Sequence, residues 1–239
     1  ATNSEHRLSA LKELYRFKTP RFIILEKFLF NKLSYFEEAK KLFQLNHTKV
    51  WVNQWMSTEF QDLSNIFSET DGINISVKGK NWNFCSNTVH WIEWFHQINN
   101  RKKIILFDSS LDNLIIENKR KGYFEAFGSL EFHDINKNKL LLQCSYEENS
   151  ERETLISLSN ETMTADFQLT SNNLNGFIFR FNQKKRINFK VRYLSERTSI
   201  YIKNIWEKNE CTLPTYDESV QHHKLVFQTF KNHFNKLNL

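Results

Sequence analysis

Glycine and proline are nearly missing, with 5 Gly and 2 Pro in 239 residues. Loops that cradle phosphate use glycine for positive φ and close backbone approach, and no glycine-rich phosphate motif stands in the chain. Cysteine is as sparse. Cys85, Cys144 and Cys211 are odd in number and lack CxxC spacing, which excludes a disulfide framework and a cysteine zinc site and fits a reducing compartment. Long apolar runs are absent too. The longest, Phe22 to Leu25 resuming at Phe28-Leu29-Phe30, is broken by Glu26-Lys27 and is too short to cross a bilayer. No basic-then-apolar leader opens the chain, and no Gly-x-Ser-x-Gly or Ser/His/Asp arrangement is present. These absences predict a soluble intracellular protein, cytoplasmic or nuclear, with no cofactor and no metal, and they disfavour an enzyme.

Aromatic residues are plentiful: 22 Phe, 7 Tyr and 6 Trp. With 40% hydrophobic residues, the composition is that of a chain folded throughout, able to bury a core without disulfides. Phe, Asn, Lys and Ile are encoded by A/T-rich codons, a bias that raises lysine content whatever the ligand. The net charge of +6 still suits an anionic partner.

The hydrophobic period divides the chain. Residues 1–100 read as mainly helical: Leu8, Leu11 and Tyr15 form one stripe, Pro20 separates a second helix near 21–32, and Ser34-Tyr35-Phe36-Glu37 and Thr58-Glu59-Phe60-Gln61 have capping-box form. Ile73, Ile75 and Val77, a turn at Gly79-Lys80-Asn81, and Trp82 and Phe84 predict a short β-hairpin at 73–84. A helix follows with Trp91, Trp94, Phe95 and Ile98 on one face. Residues 101–239 read as an antiparallel β-meander plus a C-terminal helix at 217–237. Its strands fall at 123–133, 140–146, 154–158, 163–169, 177–181, 187–193 and 199–206, after apolar stretches at 104–107 and 114–116. The expected fold is α+β: a helical N-terminal region, then a barrel-like meander sheet closed by the last helix. That order of elements is similar to a pleckstrin-homology-like barrel, with no residue motif to accompany it.

Three basic triplets are the nearest thing to a functional mark. If successive turns alternate between the ends of a meander, Lys184, Lys185 and Arg186 join Lys137 and Lys139 at one end as a surface for an anionic partner. Arg101, Lys102 and Lys103 with Lys119, Arg120 and Lys121 form a secondary patch at the other end, where Glu147, Glu148, Glu151 and Glu153 offset them. The function expected on this basis is a non-enzymatic binding or assembly protein, nucleic-acid-associated, with a protein partner for the helical region and a membrane less favoured. One alternative is a Mg²⁺-dependent restriction-type nuclease using Asp108, Asp112 and Glu117 beside Lys119. Another is a phosphoinositide-binding membrane adaptor using the same loop lysines. A DNA-reading winged helix at 34–84 is disfavoured, because no Lys or Arg stands between Lys49 and Lys78. His90 and His96 flank Glu93 out of phase, and His222-His223 diverge, so packing or surface histidines are expected. Trp82, Trp91 and Trp94 are expected in the core.

Overall fold

The computed structural model describes residues 3–67, 72–118, 121–150, 153–181 and 183–238. The chain runs α1 (Arg7–Phe17), β1 (Phe22–Glu26), α2 (Leu33–Leu45), β2 (Lys49–Asn53), α3 (Met56–Glu59), α4 (Gln61–Phe67), β3 (Asn74–Lys80) and α5 (Phe84–Ile98). Then come β4 (Ile104–Glu117), β5 (Phe124–Asp134), β6 (Lys139–Ser145), β7 (Glu153–Ser159), β8 (Met163–Leu169), β9 (Asn173–Arg180) and β10 (Gln183–Lys190). Two helices, α6 (Leu194–Lys208) and α7 (Tyr216–Lys236), complete the chain. The architecture is α/β, a Rossmann-like N-terminal part followed by a largely antiparallel eight-stranded sheet with C-terminal helices.

The first departure from the sequence expectation is at 21–32, where a strand stands in place of a helix. Phe22-Ile23-Ile24-Leu25 is a short apolar run, which periodicity cannot assign, and its β-branched residues settle into the extended form. It pairs in parallel with β2, from Phe22 against Lys49 to Glu26 against Asn53, and α2 is the crossover between them. β2 is buried on both faces through Val50, Trp51 and Val52, which explains the lack of alternation that would mark a strand. Ser34 caps nothing, because α2 already starts at Leu33 after Lys32, and Thr58 Oγ1 donates to the Trp55 carbonyl instead (2.8 Å).

The hairpin expected at 73–84 does not form. β3 has partners on both sides, parallel to β6 and antiparallel to β7, and Phe84 opens a helix. The sheet order is β10-β9-β8-β7-β3-β6-β5-β4, so the meander is two antiparallel blocks with β3 between them. It is open, with β10 and β4 as edges, and the expected barrel closure is absent. The stretch 199–206 is the middle of α6, not a strand: Arg197 and Tyr201 bury one turn apart while Ile202 and Trp206 face out.

One sheet face is buried and the other is not, as an antiparallel sheet allows. Val77, Leu130, Phe132, Leu140, Leu142, Ile156, Leu158, Ala165 and Phe167 point inward, while Leu155 and Phe179 face out. Helices α5 and α7 cover the inner face. α5 brings Trp82, at its entrance, and Trp91 and Trp94 into the core, fully buried as expected from their spacing. A second cluster joins α1, α2, β1, β2 and the start of α7 through Leu11, Phe36, Leu25, Val52 and Tyr216. Thr215 caps α7 reciprocally with Glu218, whose backbone N–H reaches Thr215 Oγ1 while its carboxylate accepts the Thr215 N–H (2.8 Å). No described helix is long and apolar enough to cross a membrane.

The inner face leaves no room at Gly176 in β9. A Cβ there would collide with the Asp166 carbonyl oxygen and stand 2.8 Å from Phe167 Cα, whereas one at Gly122 would meet nothing within 4 Å. We expect Gly176→Ala to lower stability in urea unfolding by about 1–3 kcal/mol, an overpacking cost. Gly122→Ala should lose only about 1 kcal/mol, through its positive φ of +80°. Equal losses at both positions would contradict the packing of β9 against β8.

Candidate functional site

The basic residues do not assemble into the expected surface. Lys184, Lys185 and Arg186 lie within the edge strand β10, paired with Phe179, Ile178 and Phe177, not in a turn. Lys184 Nζ sits 3.9 Å from the centroid of Phe177, so its charge lies over an aromatic face. Lys137 and Lys139 share that end of the sheet, but the two turns are five strand spacings apart, roughly 24 Å. Lys139 is bound to Glu131 Oε2 at 2.7 Å, and that hydrogen bond holds the Glu131 carboxyl below the usual carboxylate range.

The secondary patch is rearranged as well. β4 is one strand from Ile104 to Glu117, so Arg101, Lys102 and Lys103 enter at the Lys137 end, beside Asp134, and not at the opposite end. Arg101 is paired with Glu218 of α7. Lys121 is exposed in the turn before β5, and Lys119 and Arg120 lie outside the described residues. The nuclease layout fails on the same strand. Asp108 and Glu117 are nine residues apart along an extended strand, roughly 25–30 Å, and Glu117 Oε1 accepts the Gly122 N–H (2.8 Å).

A different set of polar residues converges where open α/β folds bind ligands, at the carboxyl ends of the parallel strands. Lys27 follows β1 directly. Its Nζ donates to the Ser86 carbonyl (3.1 Å), to Ser86 Oγ (3.3 Å) and to Asn87 Oδ1, tying the end of β1 to the first turn of α5. The segment after Lys27 is held by Arg7 of α1, whose guanidinium donates to the Phe28 carbonyl and to that of Leu29 (2.5 Å). Burial lowers the Arg7 pKa to about 10. At the end of β2, Asn53 Nδ2 donates to Glu26 Oε1 (2.6 Å) and Gln54 Nε2 to the Val89 carbonyl (2.7 Å).

Two amide oxygens, Asn53 Oδ1 and Gln54 Oε1, are buried there without a hydrogen-bond partner. Arg197 of α6 adds unpartnered Nε and Nη1 donors, its guanidinium stacked 4.4 Å from the ring centroid of Trp55. Burial lowers the Arg197 pKa, against the pull of Tyr201, Glu59 and Glu26. Beside them a cavity of about 750 Å³ runs between β1 and α6, lined by Phe22, Ile24, Glu26, Asn53, Tyr201 and Trp206 among others. Trp206 is 86% exposed at its wall. Of these residues Asn53 lines the cavity, and an amide oxygen without a donor beside a mostly apolar lining is what a hydroxyl of a small molecule satisfies. The site is not legible in the sequence because its members are spread from Phe22 to Trp206 over β1, β2 and α6, and the stretches 21–32 and 199–206 have the local pattern of the other secondary structure.

The histidines also differ from expectation. Glu93 and His96 of α5 meet His222 of α7, with one ligand atom from each within 4.8 Å of the others. Burial, then His222 and Arg101, pushes the His96 pKa down to about 4. The i,i+3 spacing of Glu93 and His96 was the available signal.

No family model matches the chain, and no curated protein matches its sequence. Its fold does match solved structures. A dehydrogenase (MviM) from Clostridium difficile superposes with a TM-score of 0.71 at 13% identity, covering 97% of this chain and 77% of that one. UDP-N-acetylglucosamine 3-dehydrogenase GnnA from Acidithiobacillus ferrooxidans gives 0.72 at 9% identity, covering 95% and 75%. The transcriptional regulator Gal80p from Kluyveromyces lactis gives 0.71 at 15% identity, covering 99% and 74%. The structural neighbours are oxidoreductases and dehydrogenases of the GFO/IDH/MocA type, and Gal80-like regulators share the fold. These likenesses establish the fold, and they overturn the reading as a nucleic-acid-associated assembly protein, a nuclease or a pleckstrin-homology-like adaptor.

Holding a dinucleotide pyrophosphate in such a fold takes a glycine-rich turn from strand to helix N-terminus. The turn from β1 to α2 holds no glycine and is filled by Leu29 and Phe30, both fully buried, and the turn from β2 to α3 is Gln54-Trp55. The described residues therefore do not fit a pyrophosphate cradle.

Glu125 of β5 closes the site below Lys27, its Oε2 accepting the Cys85 N–H (2.9 Å). Burial raises its pKa, opposed by that bond and by Lys27. A carboxyl whose folded pKa is raised favours folding most when protonated, and that contribution is lost as pH rises from the unfolded value, about 4.5, through the folded one. We expect Glu125→Gln, which keeps the acceptor, to raise the urea midpoint at pH 8 and to gain little at pH 4.5. A lower midpoint at pH 8 would mean that attraction to Lys27 exceeds the cost of burial.

Proposed function

We propose that the chain binds a hydroxylated, carbohydrate-sized small molecule in the cavity between β1 and α6. The observation that carries this reading is that one cavity is lined by an exposed aromatic wall, Trp206, and by Asn53, whose Oδ1 is unpartnered, with the unpartnered Arg197 next in sequence to the lining residue Thr198. A sugar ring presents an apolar face, which an indole covers, and an edge of hydroxyls able to donate to amide oxygens and accept from a guanidinium. The cavity has the size and the mostly apolar lining of a small-ligand site. It runs along β1 from Arg21 to Glu26, and its Glu26–Asn53 end reaches the carboxyl ends of the parallel strands, where this class of fold places ligands. One structural neighbour is by its name a sugar-nucleotide dehydrogenase, which supports the ligand class. In this reading Arg197 and Asn53 orient the ligand and Trp206 provides its apolar contact. Lys27 keeps the ends of β1 and α5 in register behind it.

Trp206→Ala and Arg197→Met test this. Titration calorimetry with N-acetylglucosamine, UDP-N-acetylglucosamine and gluconate should give binding by at least one of them to the wild type. Arg197→Met should weaken it by about 10- to 100-fold, the worth of a charged hydrogen bond. Trp206 is exposed, so Trp206→Ala should fold normally and still lose affinity. No binding of any of the three at millimolar concentration, or unchanged affinity in both variants, would sink the reading.

A further inference from the structure

The cluster where α5 meets α7 lies apart from this cavity. Glu93 and His96 stand one turn apart on α5, and His222 faces them from α7. The Glu93 side chain is completely buried, and neither carboxylate oxygen has a hydrogen-bond partner. His222 Nδ1 is 3.1 Å from Glu93 Oε2 but is not aligned for a hydrogen bond, and His96 Nδ1 is unpartnered as well. The two imidazoles meet edge to face with their centroids 4.6 Å apart.

We propose that Glu93, His96 and His222 bind one divalent transition-metal ion, zinc by preference, which clamps α5 to α7. A carboxylate removed from water without a donor needs a cation, and here two imidazole nitrogens also lack partners beside it. Two imidazoles and one carboxylate make a donor set suited to zinc, whereas Mg²⁺ and Ca²⁺ take oxygen ligands. Zinc bond lengths of about 2.0–2.2 Å put tetrahedral ligand atoms about 3.4 Å apart. The Glu93–His222 separation of 3.1 Å is close to that value, and closure from the 4.8 Å limit of the trio needs only small side-chain rotations.

Glu218, one turn before His222 on α7, is not a free fourth ligand. Its carboxylate is held by Arg101 and by the Thr215 N–H (2.8 Å). The fourth position falls to water. His96 is only partly buried, which gives the ion a way in. The site would join the helix that carries Ser86 and Asn87 to the helix that packs against β2 and β4, fixing both sides of the core.

The test uses the full chain without an affinity tag, stripped with EDTA and then titrated separately with Zn²⁺, Co²⁺ and Mg²⁺. We expect one Zn²⁺ per chain, a higher Tm with Zn²⁺ and no response to Mg²⁺. Co²⁺ should give the visible absorption of a nitrogen- and oxygen-ligated ion. Glu93→Gln and His222→Ala should weaken Zn²⁺ binding by about 100-fold, at the upper end of the loss known for removing an outer-shell partner. His47→Ala, remote from the cluster, should not change it. Failure of the wild type to take up Zn²⁺ overturns the proposal and leaves a direct Glu93–His222 contact. Binding that persists unchanged in both variants overturns it too. If either variant does not fold, the wild-type Co²⁺ spectrum decides: absorption supports the site, and its absence refutes it.

Discussion

The rest of the molecule depends on β3 having hydrogen-bonded neighbours on both sides. Asn74–Lys80 pairs along its whole length with β6 in parallel and with β7 in antiparallel fashion. Taking it out would leave two unpaired edges in the middle of the sheet, facing backbone groups that water does not reach. Ile75 and Val77 fill the inner face at that seam and contact the residues of α5 that follow in sequence. The contacts that complete the centre of the sheet are therefore long-range. β3 waits for β6 and β7, some 65 and 80 residues later. Such pairing is slow to form because loop-closure entropy precedes any gain.

The position of α5 follows from that strand. The turn at Asn81-Trp82-Asn83, with positive φ at both asparagines, drops the chain off the end of β3 and onto the inner face. Trp82 Nε1 donates to the Gln143 carbonyl of β6 (3.1 Å), and Asn87 Nδ2 donates to the Trp82 carbonyl (2.6 Å). The first turn of α5 is thus pinned to the sheet before Lys27 reaches it. Lys27 then links the sheet's helix to the end of the two-stranded parallel unit, and Arg7 links that same end to α1. Two separately cored parts of the chain are thus cross-tied by the buried Arg7 and the partly buried Lys27. Removing Arg7 would take the donor from the Phe28 and Leu29 carbonyls, and removing Lys27 would take it from Asn87 Oδ1, losses that cost more than the net worth of the bond itself.

What the sequence made legible was whatever one segment can specify by itself. β6 and β8 alternate along their length because one sheet face is wet, and the stripe of α7 and the tryptophans of α5 have helical spacing for the same kind of reason. β2 is illegible because a strand buried on both faces shows no alternation, and β1 because a short apolar run suits helix and strand alike. α6 was misread because Ile200 and Ile202 suit a strand, and only burial of Arg197 and Tyr201 a turn apart, with Glu196 accepting the Tyr193 N–H (2.7 Å), shows the helix. Sheet order could not be read at all, since nothing local tells β3 that its partners lie beyond residue 138. The site inherited these errors. Its residues are Lys27 and Asn53 from the strands that were missed, and Arg197 and Trp206 from the helix taken for a strand.

Basic charge misled for a related reason. The sequence places lysines at loop tips by counting turns, but the ends of an open sheet are wide, and counting turns fixes only which end a residue occupies. Lys137 and Lys184 do share an end, and the insertion of β3 adds one more spacing to the distance between them. Arg101 and Lys139 are matched by Glu218 and Glu131, pairs that flatten the field a phosphate backbone would need. Net charge of +6 is thus spread over the surface and partly offset, whereas the few unpaired polar groups are inside. A charge in water needs no partner. An amide oxygen or guanidinium out of water does, so Asn53, Gln54 and Arg197 carry more functional information than all the exposed lysines.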